Sequence, residues 1–301
     1  MKRILLYTCL VCSALFGYDE FEAQFDIPAE PPPYSPLSLS GSYLQVARAR
    51  FQDPLNIAGE KLTYKQFDTA VAYTHPLDSC YGLIFGAGWV GTVVDWPQNP
   101  SFTETDFNYV NLSTGIYTDW LDPLTLIASI GIFLDTAHLN LIDYTLYQPL
   151  LQGKLQLFRS LEIDGGVIFE VGLDRNEVWP IVGFNYIPED TNWRVHAVYP
   201  INVDVEFDVN DCLTAAAAMR FLRNRHRVGD DNALPQAVFQ YKSWGAEVNL
   251  NYHPFNNFNL VGAVGMTIAG RLRIANRINE EANVYRFENT LYGAANVVLS
   301  F

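Results

Sequence analysis

The sequence predicts an all-β fold: an antiparallel, up-and-down β-barrel of about fourteen strands, or twelve on a second reading, that follows an N-terminal export segment. Three observations predict it. Hydrophobicity alternates with period two along most of the chain, tight turns alternate with longer polar connections, and aromatic residues gather near the tight turns. Composition agrees. Of 301 residues, 49% are hydrophobic, 14% aromatic and only 17% charged, which excludes a disordered chain. A net charge of −14 argues against nucleic acid as a partner. No uninterrupted apolar run reaches the ~18 residues of a membrane-spanning helix. The longest, Leu124 to Leu134, contains Thr125, Ser129 and Gly131.

Residues 1–17 read as a secretory signal peptide. Lys2 and Arg3 precede an apolar stretch, Ile4 to Phe16, that is too short to cross a bilayer, and cleavage after Gly17 leaves acidic Tyr18-Asp19-Glu20. Removing the signal takes the net charge from −14 to −16 and discards Cys9 and Cys12. Residues 18–38 form an acidic periplasmic linker in which Pro28, Pro31, Pro32, Pro33 and Pro36 exclude a central strand.

Strand segments follow at 39–51, 61–75, 80–95, 104–118, 123–138, 146–158, 161–174, 178–187, 192–199, 201–209, 212–224, 235–252, 257–273 and 284–301. Reading the ninth and tenth as one folded-over loop gives the count of twelve. The alternation is plain in individual segments. Tyr81, Leu83, Phe85, Ala87 and Trp89 are separated by Gly82, Ile84, Gly86 and Gly88. Val203, Val205, Phe207 and Val209 are separated by Asp204, Glu206 and Asp208. Such spacing puts every apolar side chain on one face of a strand.

Tight turns fall at His75-Pro76-Leu77-Asp78, Trp120-Leu121-Asp122-Pro123, Arg159-Ser160, Pro188-Glu189-Asp190, Asn210-Asp211 and His253-Pro254-Phe255-Asn256. The intervening connections, such as Trp96 to Thr105 and Arg223 to Pro235, are longer and polar. Short turns at one end and long loops at the other are the wiring of a transmembrane barrel, in which apolar faces look outward to lipid. Tyr73, Tyr81, Tyr117, Trp120, Tyr186, Trp193 and Tyr252 sit near the tight turns and predict one aromatic girdle. Trp89, Trp96, Trp179 and Tyr285 predict a looser second girdle. Fourteen tilted strands enclose a cylinder roughly 28 Å across, too wide for side chains alone to fill.

In the last segment Leu291, Gly293, Ala295, Val297, Leu299 and Phe301 alternate up to a terminal aromatic carboxylate. This resembles the C-terminal signal of bacterial outer-membrane β-barrel proteins, with Leu299 and Phe301 as the assembly signal. The resemblance implies a place in the outer membrane of a Gram-negative bacterium after export. Outer-membrane lipid and lipopolysaccharide would surround the barrel, and the barrel-assembly machinery would be a partner. It implies no particular activity.

With apolar faces turned to lipid, the polar faces line the lumen. Arg48, Arg50, Arg220, Arg271, Arg273 and Arg286 are expected to gather as a basic wall toward the loop end. Asp135, Glu162, Asp164, Glu170, Asp174, Asp204, Glu206 and Asp208 are expected opposite them as an acidic wall. Facing walls of opposite charge across a wet pore select solutes by charge, similar to the constriction of general porins. The plainer reading is that these groups pair with neighbours and only solvate the lumen. The run Arg223, Arg225, His226 and Arg227 reads as a loop, either solvated or touching lipopolysaccharide phosphates.

The function expected is a porin-like channel or passive transporter for small solutes. Alternatives are a structural or surface-interaction barrel with an occluded lumen and an outer-membrane hydrolase. No catalytic residues stand out: Gly-x-Ser-x-Gly and the His-x-Ser of barrel phospholipases are absent. The five His lack metal-ligand spacing, so no metal or cofactor is expected. Cys80 and Cys212, each beside a tight turn, fall nearly across the barrel from one another, too far for an internal disulfide. They predict free thiols or intermolecular bonds to other envelope proteins.

Overall fold

The alternating segments form strands because each can expose one face to hydrocarbon and satisfy every backbone group on its neighbours. A sheet in lipid tolerates no free edge, so it must close. The computed structural model describes residues 36–53, 57 and 59–301. The expected signal peptide, and the linker as far as residue 35, lie outside the described residues.

Fifteen strands follow one another: β1 (Leu37–Asp53), β2 (Lys61–Pro76), β3 (Tyr81–Asp95), β4 (Asp106–Leu121), β5 (Leu124–Asp135), β6 (Thr145–Phe158), β7 (Leu161–Gly172), β8 (Glu177–Tyr186), β9 (Trp193–Tyr199), β10 (Asn202–Asn210), β11 (Leu213–Arg227), β12 (Val238–Phe255), β13 (Phe258–Ala275), β14 (Asn283–Phe287) and β15 (Leu291–Ser300). Each pairs antiparallel with the next through β13, and β1 pairs with β15 to close the cylinder. β14 and β15 lie end to end between β13 and β1, so they form one interrupted stave. The barrel therefore has fourteen staves. The predicted segment 284–301 is broken where the Glu288 amide donates to the Arg50 carbonyl and the Thr267 amide to the Thr290 carbonyl. The ninth and tenth predicted strands form separately as β9 and β10, which decides for fourteen over twelve.

The two faces of the wall are inverted relative to a water-soluble sheet. On β12, Val248 and Leu250 are 59% and 53% exposed while Glu247 and Asn249 are each 5% exposed. On β7 and β10, Ile163, Phe169, Val205 and Phe207 face outward while Glu162, Asp164, Glu170, Asp204 and Glu206 are buried inside. Where the wall carries glycine inside, a large neighbour fills the space: the Tyr117 ring of β4 stands directly on Gly82 of β3, where a Cβ would collide with it.

Tyr73, Tyr81, Trp120, Trp193 and Tyr252 are exposed near the tight turns, as a girdle requires. Tyr117 turns inward instead. Of the second expected girdle only Trp89 is exposed; Trp96 and Tyr285 are buried inside against Phe51, and Trp179 is half-buried and lies under inward-folded basic groups. The outward rule for apolar groups lapses toward the loop end, where the interior itself carries an apolar cluster.

Strand length is uneven. β8, β9 and β10 have 10, 7 and 9 residues, whereas β11, β12 and β13 have 15, 18 and 18. The β10–β11 ladder stops at Val203↔Met219, but the β11–β12 ladder runs on to Arg227↔Val238. Beyond Met219 the hairpin has lost one neighbour, and it bends inward across the mouth. The mark of this is burial on both faces: every side chain from Leu222 to Val228 and from Ala237 to Ser243 is buried.

Candidate functional site: the closed mouth

One face of the inward hairpin carries Leu222, Asn224, His226, Val228, Phe239 and Tyr241 and packs on the inner wall of β2–β4. Tyr241 stacks on Tyr64 with ring centroids 4.3 Å apart. His226 stacks on Tyr109 at 4.5 Å and lies 3.1 Å from the Thr92 hydroxyl. Phe239 packs on Phe102 and Phe107. The Asn224 amide donates to Thr92 Oγ1, and the Tyr109 hydroxyl donates to the Arg225 carbonyl at 3.0 Å. Each aromatic pair adds about 0.5–1.5 kcal/mol beyond the area it buries. Tyr144, in the loop before β6, donates to the Val228 carbonyl at 3.4 Å, and burial holds its phenol above the usual range.

The opposite face is ionic. It presents Arg223, Arg225, Arg227 and Lys242 to β7, β8 and the turn between them. Glu170 accepts from Arg223 and sits 3.7 Å from Arg225. Glu177 gathers Arg175 at 2.7 Å, Arg223 at 2.8 Å and Lys242 at 3.3 Å. Arg227 pairs with Asp174. Trp179 lies beneath this group, its ring 4.5 Å from the Arg223 guanidinium carbon and 4.9 Å from Lys242 Nζ. Buried ion pairs contribute little net stability, because desolvation offsets their attraction, and water can replace what they give each other.

Below the hairpin the inner wall is polar. Arg194 bridges Glu206 and Asp208, the latter at 3.0 Å. Asn185 donates to Glu162 and Asp164, each at 2.9 Å, and lies 3.0 Å from His196 Nδ1. Lys154 is 3.9 Å from Asp164. Arg220 pairs with Glu247, which also accepts from the Tyr292 hydroxyl at 2.7 Å.

The expected acidic residues thus divide. Glu162, Asp164, Glu170, Asp204 and Glu206 are buried inside. Asp208 is half-buried beside Arg194, and Asp174 lies in the β7–β8 turn. Asp135, at the loop end of β5, accepts from the Ala137 and His138 amides at 2.8 Å and shapes the loop. The expected basic wall does not assemble. Arg220 is inside, but Arg48, Arg50, Arg271 and Arg286 are exposed and Arg273 is half-buried, held by Asn279. Two bulges explain this. In β1 the register shifts between Val46 and Ala49, turning Ala49 and Phe51 inward. In β13 the register shifts against Lys242 and Trp244, with Ala269 at φ 56°, and Leu272 and Ile274 turn inward while the arginines turn out. The run Arg223–Arg227 is not a loop but the upper part of β11, and all of it is buried. The sequence held one sign of that: the period-two spacing of 212–224 continues through the run, and no proline or glycine intervenes before Gly229.

Cys80 and Cys212 are free thiols at the β2–β3 and β10–β11 turns. At the seam the Phe301 amide donates to the Leu37 carbonyl at 2.8 Å and the Leu37 amide returns a 3.3 Å bond. Leu299 continues the β1–β15 ladder opposite Leu39. Among the described residues no three His, Cys, Asp or Glu side chains converge as a metal group.

No family model matches the chain. An uncharacterised protein of Chlamydia trachomatis serovar D is 27% identical over 287 residues, covering 90% of this chain and 89% of its own length. One of Chlamydia pneumoniae is 26% identical over 285 residues with the same coverage. Among solved structures, an outer-membrane channel from Pseudomonas putida F1 superposes with a TM-score of 0.50 at 11% identity, over 92% of this chain and 99% of the other. The likeness is one of fold: the chain has the architecture of outer-membrane β-barrels.

Proposed function

We propose that the chain is an integral outer-membrane barrel that passes small solutes, and that the upper β11–β12 hairpin is its gate. The observation that carries this reading is the ionic face of the hairpin. A permanent plug is best held by apolar packing on both sides. Here one side rests on Glu170 and Glu177, contacts that water can replace when the hairpin swings back toward the wall. Below the gate the inner wall offers Asp68, Glu162, Asp164, Asp204, Glu206, Asp208 and Glu247 against Lys154, Arg194 and Arg220. That excess of acid favours cations in the open pore.

Planar-bilayer recording of the folded, heat-modifiable protein tests the proposal. The wild type is expected to open rarely. A variant with the hairpin trimmed above Phe221 and Ser243 is expected to conduct steadily with cation preference. A trimmed, folded barrel that carries no current in any salt overturns the channel reading. It would support the second one, a permanently occluded structural barrel, which the stacked Tyr64–Tyr241 and Tyr109–His226 pairs favour.

A further inference from the structure

The ionic face of the hairpin continues onto the upper parts of β13 and β14, whose arginines take no part in the contacts with β7 and β8. The ladders place Arg223 opposite Lys242, Lys242 opposite Arg271, and Arg271 opposite Arg286. Four cations therefore stand side by side in one row across four strands. Directly opposed like charges destabilise a sheet. The next row reads Arg225, Gln240, Arg273 and Val284, and adds two more. Arg175 reaches over the same face from the β7–β8 turn, where its carbonyl accepts from Arg225 at 3.1 Å.

The row ends at Asp53, which the β1–β14 ladder places opposite Arg286, and among the described residues the other carboxylates leave the cations in excess. Glu170 is engaged by Arg223 and Arg225, and Glu177 is shared among Arg175, Arg223 and Lys242. Arg273 is held by Asn279, a neutral partner, through its side-chain oxygen and its carbonyl. Arg271 makes no ion pair among the described residues. Between these groups lies a recess of about 140 Å³ lined by Arg175, Gln240, Lys242, Arg271, Arg273 and Val284. Arg271 and Arg286 also border a second, shallower recess beside it.

We infer that this recess is a binding site for a multiply charged phosphoryl anion, either a free phosphate compound or the phosphorylated headgroup of a lipid. The forked donors of arginine match phosphoryl oxygens two at a time, and Lys242 supplies a compact charge at the base. One such anion neutralises the row that the ladder forces together. The inference is independent of whether the barrel conducts.

The test is calorimetric titration of inorganic pyrophosphate into the folded full-length protein in zwitterionic detergent. Saturable one-to-one binding is expected. R271Q/R273Q should weaken it by roughly tenfold or more, because two charged hydrogen-bond donors to the anion are removed. R159Q, which removes an exposed charge at the tight-turn end, should leave it unchanged. Pyrophosphate should also raise the thermal midpoint of the wild type and not that of R271Q/R273Q. A second arm compares vesicles of phosphatidylcholine with vesicles containing a bis-phosphorylated glycolipid. Retention on the latter alone, abolished in R271Q/R273Q, assigns the lipid source; pyrophosphate binding without it assigns the free anion. Non-saturable binding, or equal affinity in wild type and R271Q/R273Q, overturns the inference.

Discussion

Replacing Glu170 by Gln is the sharpest probe of the hairpin. Glu170 is buried on β7 and accepts from Arg223, with Arg225 3.7 Å away. The substitution keeps the shape of the side chain and removes its charge. Removing one partner of a buried ion pair costs about 3–5 kcal/mol, because the other is left uncompensated. Gln retains one acceptor, so the lower figure applies. If the hairpin is hinged, that cost falls on the closed arrangement alone, since Arg223 is hydrated once it swings clear. Three kcal/mol at about 1.4 kcal/mol per tenfold is a rise of roughly a hundredfold in the open-to-closed ratio. Single-channel recording measures it as open probability, and heat-modifiability reports the stability of the barrel. The expected pair of results is a large rise in open probability with little change in the thermal midpoint. A lowered midpoint with unchanged open probability would refute the hinge and make Glu170 a structural partner.

Further outcomes follow from other contacts. In a background lacking Cys80 and Cys212, T92C/N224C should form a disulfide across the mouth, since Asn224 touches Thr92; single-channel current should vanish on oxidation and return with reductant, and failure to cross-link would show that the hairpin does not lie on β3. R220A should cost about 3–5 kcal/mol by leaving Glu247 buried with a reduced set of partners, whereas R220M/E247M should recover most of that, read as heat-modification midpoints. G82A should cost about 1–3 kcal/mol by forcing the Tyr117 ring aside, and in a Y117A background the same change should cost nothing further.

Much of the wall was legible because one rule, period two, operates along every stave. The segment drawn at 161–174 became β7, with Glu162, Asp164 and Glu170 inside and Ile163 and Phe169 outside. That rule states which side chains share a face. It does not state what medium the face meets. At Arg223, Arg225 and Arg227 the alternation continues unchanged while the outer face passes from lipid to the acidic inner wall of β7 and β8. Only the early end of β10 brings this about, and that is a relation between distant strands. Arg48 and Arg271 face away from the lumen for a different reason: a single-residue bulge reverses every face beyond it. The bulge near Val46 carries no glycine or proline to announce it, and Gly270, beside Ala269 in the other, is one of many glycines on these strands. Trp96 and Tyr285 stand at the loop end, where packing on Phe51 inside the barrel buries an aromatic ring that the girdle pattern would turn outward.

The unequal staves also shape the surrounding membrane. At ~3.3 Å per residue and a tilt near 40°, the seven residues of β9 rise only about 18 Å, against about 45 Å for the eighteen of β12. The apolar band of such barrels is about 25 Å tall. In the membrane setting proposed above, hydrocarbon beside β9 would be compressed by several ångströms, at a fraction of a kcal/mol for each, while β8 and β10 come close to the full height. So placed, the barrel would sit in a lopsided dimple, with acyl chains pinched on one flank and relaxed on the other.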